Sequence, residues 1–286
     1  MITGVLIHGQ RLINQVDYQR NERLLANQIA AAVSTQLSMT EAILEGVAGL
    51  FQSDRPIQDD HFSRFVATLK LRNPGLEGIQ GIGFASFLPS ISSTDQRPAA
   101  PKGVITFLQP ADWRNQRAMG FNMLLDPIRR QAMEQSALSG EAALTGPVRL
   151  PQEAGESPQT GAVLVVPIYR GADAVFLSAR DRWQRLQGWS FAPLRMGDLI
   201  TSAVTTIDSP LKYDTRIVID EASASRLNQR LYDNQSGIHQ TQGNPITWVD
   251  VSVAHRPWRI GIQLGPRNGS PEGWNASLTL GLLFGL

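Results

Sequence analysis

The stretch IAAAVSTQLSMTEAILEGVAGLF, Ile29 to Phe51, decides how the chain begins. Its apolar residues Ile29, Val33, Leu37, Leu44, Val47 and Phe51 are spaced by 4, 4, 7, 3 and 4, which keeps one face of a helix apolar. No proline interrupts residues 12–52, so one long helix is expected there. At about 1.5 Å per residue, roughly 40 residues span about 60 Å, more than the width of one small domain. Part of the helix is therefore expected to project as a stalk. The run Ala30-Ala31-Ala32 would let a second helix approach closely.

Outward from this helix, Ser53-Asp54-Arg55-Pro56 is a break, and Asp59 or Asp60 can cap a second helix through Phe62, Phe65, Val66 and Leu69. Short apolar segments at 79–88, 104–108, 143–150 and 162–169 follow, separated by Gly/Pro/Ser-rich turns, and read as strands. Between the second and third lies a well-marked helix. Asp126 caps it, Pro127 takes its first position and Gly140 stops it. After a less regular stretch at 172–186, the pattern resumes with a strand at 186–193 and a helix at 196–205. Strands at 216–220, 247–253 and 258–264 complete it, the last two forming a hairpin across Ala254-His255-Arg256-Pro257. The class is α+β, and the recurrence of strand, helix and hairpin suggests two similar modules in series, with a boundary near 171–186.

Composition narrows the function. With 286 residues, 42% of them hydrophobic, a buried core needs no staples. Lys+Arg number 26 against 25 Asp+Glu, with no basic stripe, so the electrostatic footprint of a nucleic-acid binder is missing. The absence of cysteine excludes a disulfide framework, a Cys-based zinc site and a thiol nucleophile. His8, His61, His239 and His255 have no metal-ligand spacing, and Asp59-Asp60-His61 sits where helix-capping acids are expected. Gly78-x-x-Gly81-x-Gly83 is better explained by close strand packing than as a phosphate cradle. No nucleophile elbow, Walker loop, HExxH or kinase signature is present. Neither catalysis nor a cofactor is expected.

Both ends carry short apolar runs. Residues 1–8 are expected to be the end of a membrane span, and 273–286 the start of a second transmembrane helix, since the ten uncharged residues 277–286 fall short of the roughly 20 a bilayer helix needs.

Several strings resemble the CHASE family, the extracytoplasmic sensory domain of receptor kinases and nucleotide cyclases. They begin with Phe62-x-x-Phe65-Val66 and Asn73-Pro74-Gly75-Leu76-x-Gly78-Ile79-Gln80-Gly81-Ile82-Gly83-Phe84. They are densest at Gly120-Phe121-Asn122 and Asp126-Pro127-Ile128-Arg129-Arg130-x-Ala132-Met133, and continue through Ser139-Gly140-Glu141-x-x-Leu144-Thr145-Gly146-Pro147-Val148-Arg149-Leu150 and Val165-Val166-Pro167-Ile168-Tyr169. Arg185-x-x-x-Trp189 and Pro193-Leu194-Arg195-Met196-x-Asp198-Leu199-Ile200 close the match, which covers roughly residues 25–205.

The resemblance implies a stalk helix at 1–52, a membrane-distal PAS-like ligand-binding module at 53–171 and a membrane-proximal PAS-like module at 172–272, both built on antiparallel sheets. It also implies a homodimer through the stalk and anchorage in the inner membrane, with this region facing the periplasm or extracellular space. A partner helix would cover the stripe that a projecting helix cannot bury against its own domain.

Two features depart from the family. Residues 89–103 are Pro/Ser/Ala-rich where most members carry a longer, acidic and aromatic segment, and are expected to be a loop. Lys102-Gly103-Val104-Ile105-Thr106 lacks the carboxylate that plant members place on the strand entering the pocket, which speaks against purine-hormone recognition.

A small-molecule pocket should be mostly apolar with a few convergent polar groups. The candidates are Thr106, Phe107, Phe121, Arg129, Thr145 and Arg149. Thr145 leads by resemblance, because that position lies on the pocket strand of hormone-binding members. Its other reading is an ordinary β-branched strand residue. Of Arg129 and Arg130, one is expected to face the pocket and hold an anionic group through its planar fork, the other to be solvated. Arg149 has Glu153 as an alternative partner. The expected function is a non-enzymatic sensor of a small molecule, in a receptor whose kinase or cyclase is absent from this chain. The alternative is an extracytoplasmic protein- or cell-wall-interaction module, and a hydrolase using Asp59, Asp60 or His61 ranks third.

Overall fold

The computed structural model describes residues 2–52, 56–72, 78–89, 100–153, 159–171, 178–209, 215–222, 229–234 and 245–264, with side chains from residue 19 onward except at 70–72 and 264. The expected second membrane segment, 273–286, and the side chains of 1–8 lie outside the described residues. Among those described, no helix is long and apolar enough to cross a membrane.

Helix α1 (Ile2–Phe51) is continuous, as the proline-free periodicity requires. Its stripe of Leu25, Ile29, Val33, Leu37, Leu44 and Val47 is buried, and what buries it differs from expectation. The helix lies along two antiparallel sheets of its own chain and against a later helix. From Leu25 to Phe51 it therefore packs against the body instead of standing clear of it. Residues 25–51 span about 40 Å at 1.5 Å each, and strands of both sheets pack against the helix within that stretch. The stripe thus gives no reason to invoke a second copy.

Helix α2 (Asp59–Arg72) opens with Asp59 and Asp60 in its first turn, where acids favour the positive helix end. Strands β1 (Ile82–Leu88) and β2 (Lys102–Gln109) form an antiparallel pair. A short helix α3 (Trp113–Gln116) leads to a 3-10 turn at Met123–Leu125 and then to α4 (Pro127–Ser139). As its sequence demands, Asp126 accepts from the Ile128 and Arg129 amides, and Gly140 closes α4 with a left-handed φ of 83°.

Strand β3 covers only Ala143–Leu144, not the expected 143–150. The chain keeps beside β4 (Gly161–Tyr169) through the Thr145 and Val148 amides, but Pro147 has no N–H to continue the ladder. Helix α5 (Ala179–Arg185) occupies part of the stretch read as irregular. Its Ser178 cap accepts from the Asp181 amide, a Ser-x-x-Asp start signal that the sequence carried.

The next strand, β5 (Leu186–Arg195), corrects the expected boundary. It lies in the middle of the first sheet, whose order is β2-β1-β5-β4-β3, instead of opening the second. Its register with β4 runs from Gly161↔Arg195 to Tyr169↔Leu186, and on its other side Gly83 faces Phe191. Every residue of β4 is buried, because α1 covers one face of this sheet and α4 the other.

Helix α6 (Met196–Thr205) leads to the second sheet of β6 (Thr215–Glu221), β7 (Gln229–Asp233), β8 (Thr247–Val253) and β9 (Arg256–Leu264), in the order β7-β6-β9-β8. Strand β7 had not been expected. The β8–β9 hairpin turns at Ala254 and His255, both with positive φ, as a two-residue turn matched to strand twist requires.

The architecture is thus α+β, with a long N-terminal helix and two antiparallel sheets. One apolar core joins α1, α2, the inner face of the first sheet and the second sheet, while another fills the space between the first sheet and α4. The glycine triplet serves packing. Gly78 has a φ of 91°, and a β-carbon there would lie 2.5 Å from the Leu199 amide nitrogen; one on Gly83 would lie 2.5 Å from the Phe107 carbonyl.

Candidate functional site

At the start of α4, Asp126 does two things. Its Oδ1 caps the helix, and its Oδ2 accepts from Arg129 Nη1 at 2.8 Å. Arg129 is 4% exposed, donates from Nη2 to the Arg149 carbonyl at 2.6 Å, and holds its guanidinium 5.3 Å from the Phe121 ring centroid. Burial lowers its pKa from the ordinary arginine value, and the Asp126 charge opposes that shift. Arg130 instead stays exposed and donates to the Leu124 carbonyl at 2.7 Å. Arg129 is thus the inward arginine of the pair, but at least two of its donors are already engaged by the protein.

Thr145 is buried and saturated locally, donating to the Gly146 carbonyl at 2.8 Å and accepting from the Val163 amide at 2.9 Å. The Arg149 side chain is exposed. Glu153, its expected alternative partner, faces Arg195 instead at 2.9 Å, and Arg195 also holds Asp198 at 2.5 Å. Thr106 is exposed on β2, with its hydroxyl 2.9 Å from that of Ser86. Phe107 lies on the opposite face of the sheet in an aromatic cluster with Phe51, Phe62 and Phe84, where the Phe51 and Phe84 rings stack at 4.0 Å.

The six candidates therefore do not converge on one point. Arg129, Phe121 and the Arg149 carbonyl come together, with Thr145 on the adjoining segment, while Thr106 and Phe107 lie elsewhere. The space between the first sheet and α4 holds Trp189, Met133, Met123, Leu124 and Phe191. Trp189 Nε1 donates to the Met133 carbonyl at 3.0 Å, and Tyr169 to that of Ala137 at 2.7 Å. Burial pushes the Tyr169 phenol up to about 12, with Arg182 opposing.

Open volume lies where the two sheets meet. A cavity of about 290 Å³ separates the first turns of α4 and the Gly146-Pro147 corner from Glu221 and Arg256 of the second sheet, which form an ion pair. A larger one, about 430 Å³, lies between α1, the β3–β4 edge and the β8–β9 turn, with Glu41, Glu141 and His255 on its walls. None of these three residues is among the expected ligand-binding candidates. Glu41 did carry a signal, a carboxylate four residues after Leu37 and three before Leu44 on the apolar stripe. Glu141 and His255 carried none, because only tertiary packing brings them to α1.

No curated protein matches the chain. Residues 56–236, more than half of its length, match the family model described as CHASE domain. The match spans all of the first sheet and continues through β6 and β7 of the second, and the chain belongs to the CHASE domain family.

Proposed function

We propose that this chain is the sensing region of a transmembrane histidine kinase or diguanylate cyclase of the inner membrane, facing the periplasm. CHASE domains are extracytoplasmic sensory domains of signalling receptors and are not catalytic, which supports this reading. In it, the first sheet with α4 is the membrane-distal PAS-like module, now extended through β5, and the second sheet is the membrane-proximal one. A small molecule binds beside Arg129, Phe121 and Thr145 and shifts the chain around the first turn of α4.

The observation that carries the proposal is the fastening of α1 to both sheets. Ser190 of β5 donates to the Leu44 carbonyl at 2.9 Å, Gln36 to Ser202 of α6 at 3.0 Å, and Thr247 of β8 to Glu22. A rearrangement in either sheet is thereby felt by one rigid helix. A ligand drives such a shift only by binding one arrangement more tightly than the other. Homodimerisation belongs to the proposal as well, through the solvent side of α1, where Leu24, Ala31, Thr35 and Ala42 are exposed at helical spacing.

A thermal-shift screen of metabolite libraries tests the reading, since a ligand of the native state raises apparent stability. Stabilisation by one compound, reduced by Thr145→Ile and Arg129→Ala, is expected; a compound that stabilises those variants equally removes the pocket. The alternative, a protein-interaction module, is favoured by the exposed Trp113, Met119 and Leu125, and gains if no compound stabilises the chain.

A further inference from the structure

The cavity of about 430 Å³ between α1, the β3–β4 edge and the β8–β9 turn is built unlike the interior around it. Its floor is apolar, formed by the buried Leu37, Leu144 and Leu164, while Glu41 and Glu141 stand on its walls. Neither Lys nor Arg is among its lining residues, and His255 is the only basic one. At neutral pH the site is therefore net negative. Burial chiefly raises the Glu41 pKa, with Glu45 and Glu141 raising it further and His255 opposing. A carboxylate in this condition is one that a cation would relieve.

Size and donor set decide which cation. Among the described residues, no group of His, Asp or Glu is placed to hold a metal ion. The volume falls within the roughly 300–1,000 Å³ of small-molecule pockets, and the mixture of apolar floor and few convergent polar groups is theirs too. We propose that this cavity binds a small organic amine, its ammonium group on Glu41 and Glu141 and its apolar body on Leu37, Leu144 and Leu164. An occupant here touches the long helix and both sheets at once, so it senses how they are placed relative to one another. The site is separate from the pocket beside Arg129 and stands independently of it.

Calorimetric titration of the full 286-residue chain with phenethylamine, and with phenethyl alcohol and hydrocinnamate as its neutral and anionic counterparts, tests the proposal. The amine is expected to bind and the counterparts not. The isosteric double variant Glu41→Gln, Glu141→Gln should weaken amine binding at least tenfold, about 1.4 kcal/mol. Binding should also weaken in acid, as Glu41 takes up its proton. Should the double variant not fold, Ser38→Trp, at an exposed position on the rim, fills the cavity and should abolish binding by itself. No binding of the amine, equal binding of the alcohol, or binding unchanged by these substitutions overturns the proposal. The response to Thr145→Ile and Arg129→Ala bears only on the earlier pocket, since neither residue lines this cavity.

Discussion

Ser190, buried in the central strand of the first sheet, donates its hydroxyl proton to the carbonyl of Leu44 in the middle of α1, 2.9 Å away. A polar side chain at the centre of an apolar face needs a partner, and here the partner is the backbone of the long helix. The bond ties residues 146 positions apart in sequence.

Ser190→Ala removes that tie without orphaning the carbonyl, which retains its place in the helix. A loss of about 1 kcal/mol is expected, read as a lower urea midpoint. Ser190→Val adds volume to a closed site and should cost more, about 1–3 kcal/mol.

Asp126 is at once the α4 cap and the partner of a nearly buried arginine. Asp126→Ala loses both roles and should destabilise by about 2–4 kcal/mol. Asp126→Asn keeps a capping oxygen while losing the charge, and should fall between wild type and Asp126→Ala in denaturant titrations.

Tyr169 gives a dependence on alkaline pH. Its folded pKa of about 12 lies above the ordinary 10, so the fold favours the neutral phenol. The stability contributed is complete below pH 10 and is lost as pH rises from 10 through about 12. Ultraviolet titration should show a late-titrating phenol, and Tyr169→Phe should abolish both that step and the associated fall in stability.

Glu41 gives the counterpart in acid. Its folded pKa is raised above 4.5, so its contribution is fully present below 4.5 and lost as pH rises through the folded value. Glu41→Gln, permanently neutral, should therefore be more stable than wild type at neutral pH. Thermal denaturation across pH should show that advantage vanishing near pH 4, where the wild-type carboxyl is itself protonated.

Much of this molecule was legible in local signals. The stripe of α1, the Asp126-Pro127 start and Gly140 stop of α4, the bounds of α6 and the final hairpin are each written within a few residues, because helix periodicity, capping and turn geometry are short-range effects. Ser178 and Asp181 show that one more start signal was there to be read. The candidate site was less accessible. Arg129 was found from its place beside a cap, yet nothing local says that Asp126 and the Arg149 carbonyl engage it, or that Thr145 spends its hydroxyl on the Gly146 carbonyl and the Val163 amide.

The sequence by itself determined the α+β class, the long first helix and the family. Tertiary structure alone decided that β5 inserts between β1 and β4, that both sheets cover the α1 stripe, and that Glu41, Glu141 and His255 share a cavity. The physical reason is one of range. A strand's pattern says which of its faces is buried but not which strand lies beside it, and an apolar helical face is satisfied equally by a partner helix or by its own sheets. That choice falls to the packing of the whole chain, where segments more than a hundred residues apart compete for the same surface.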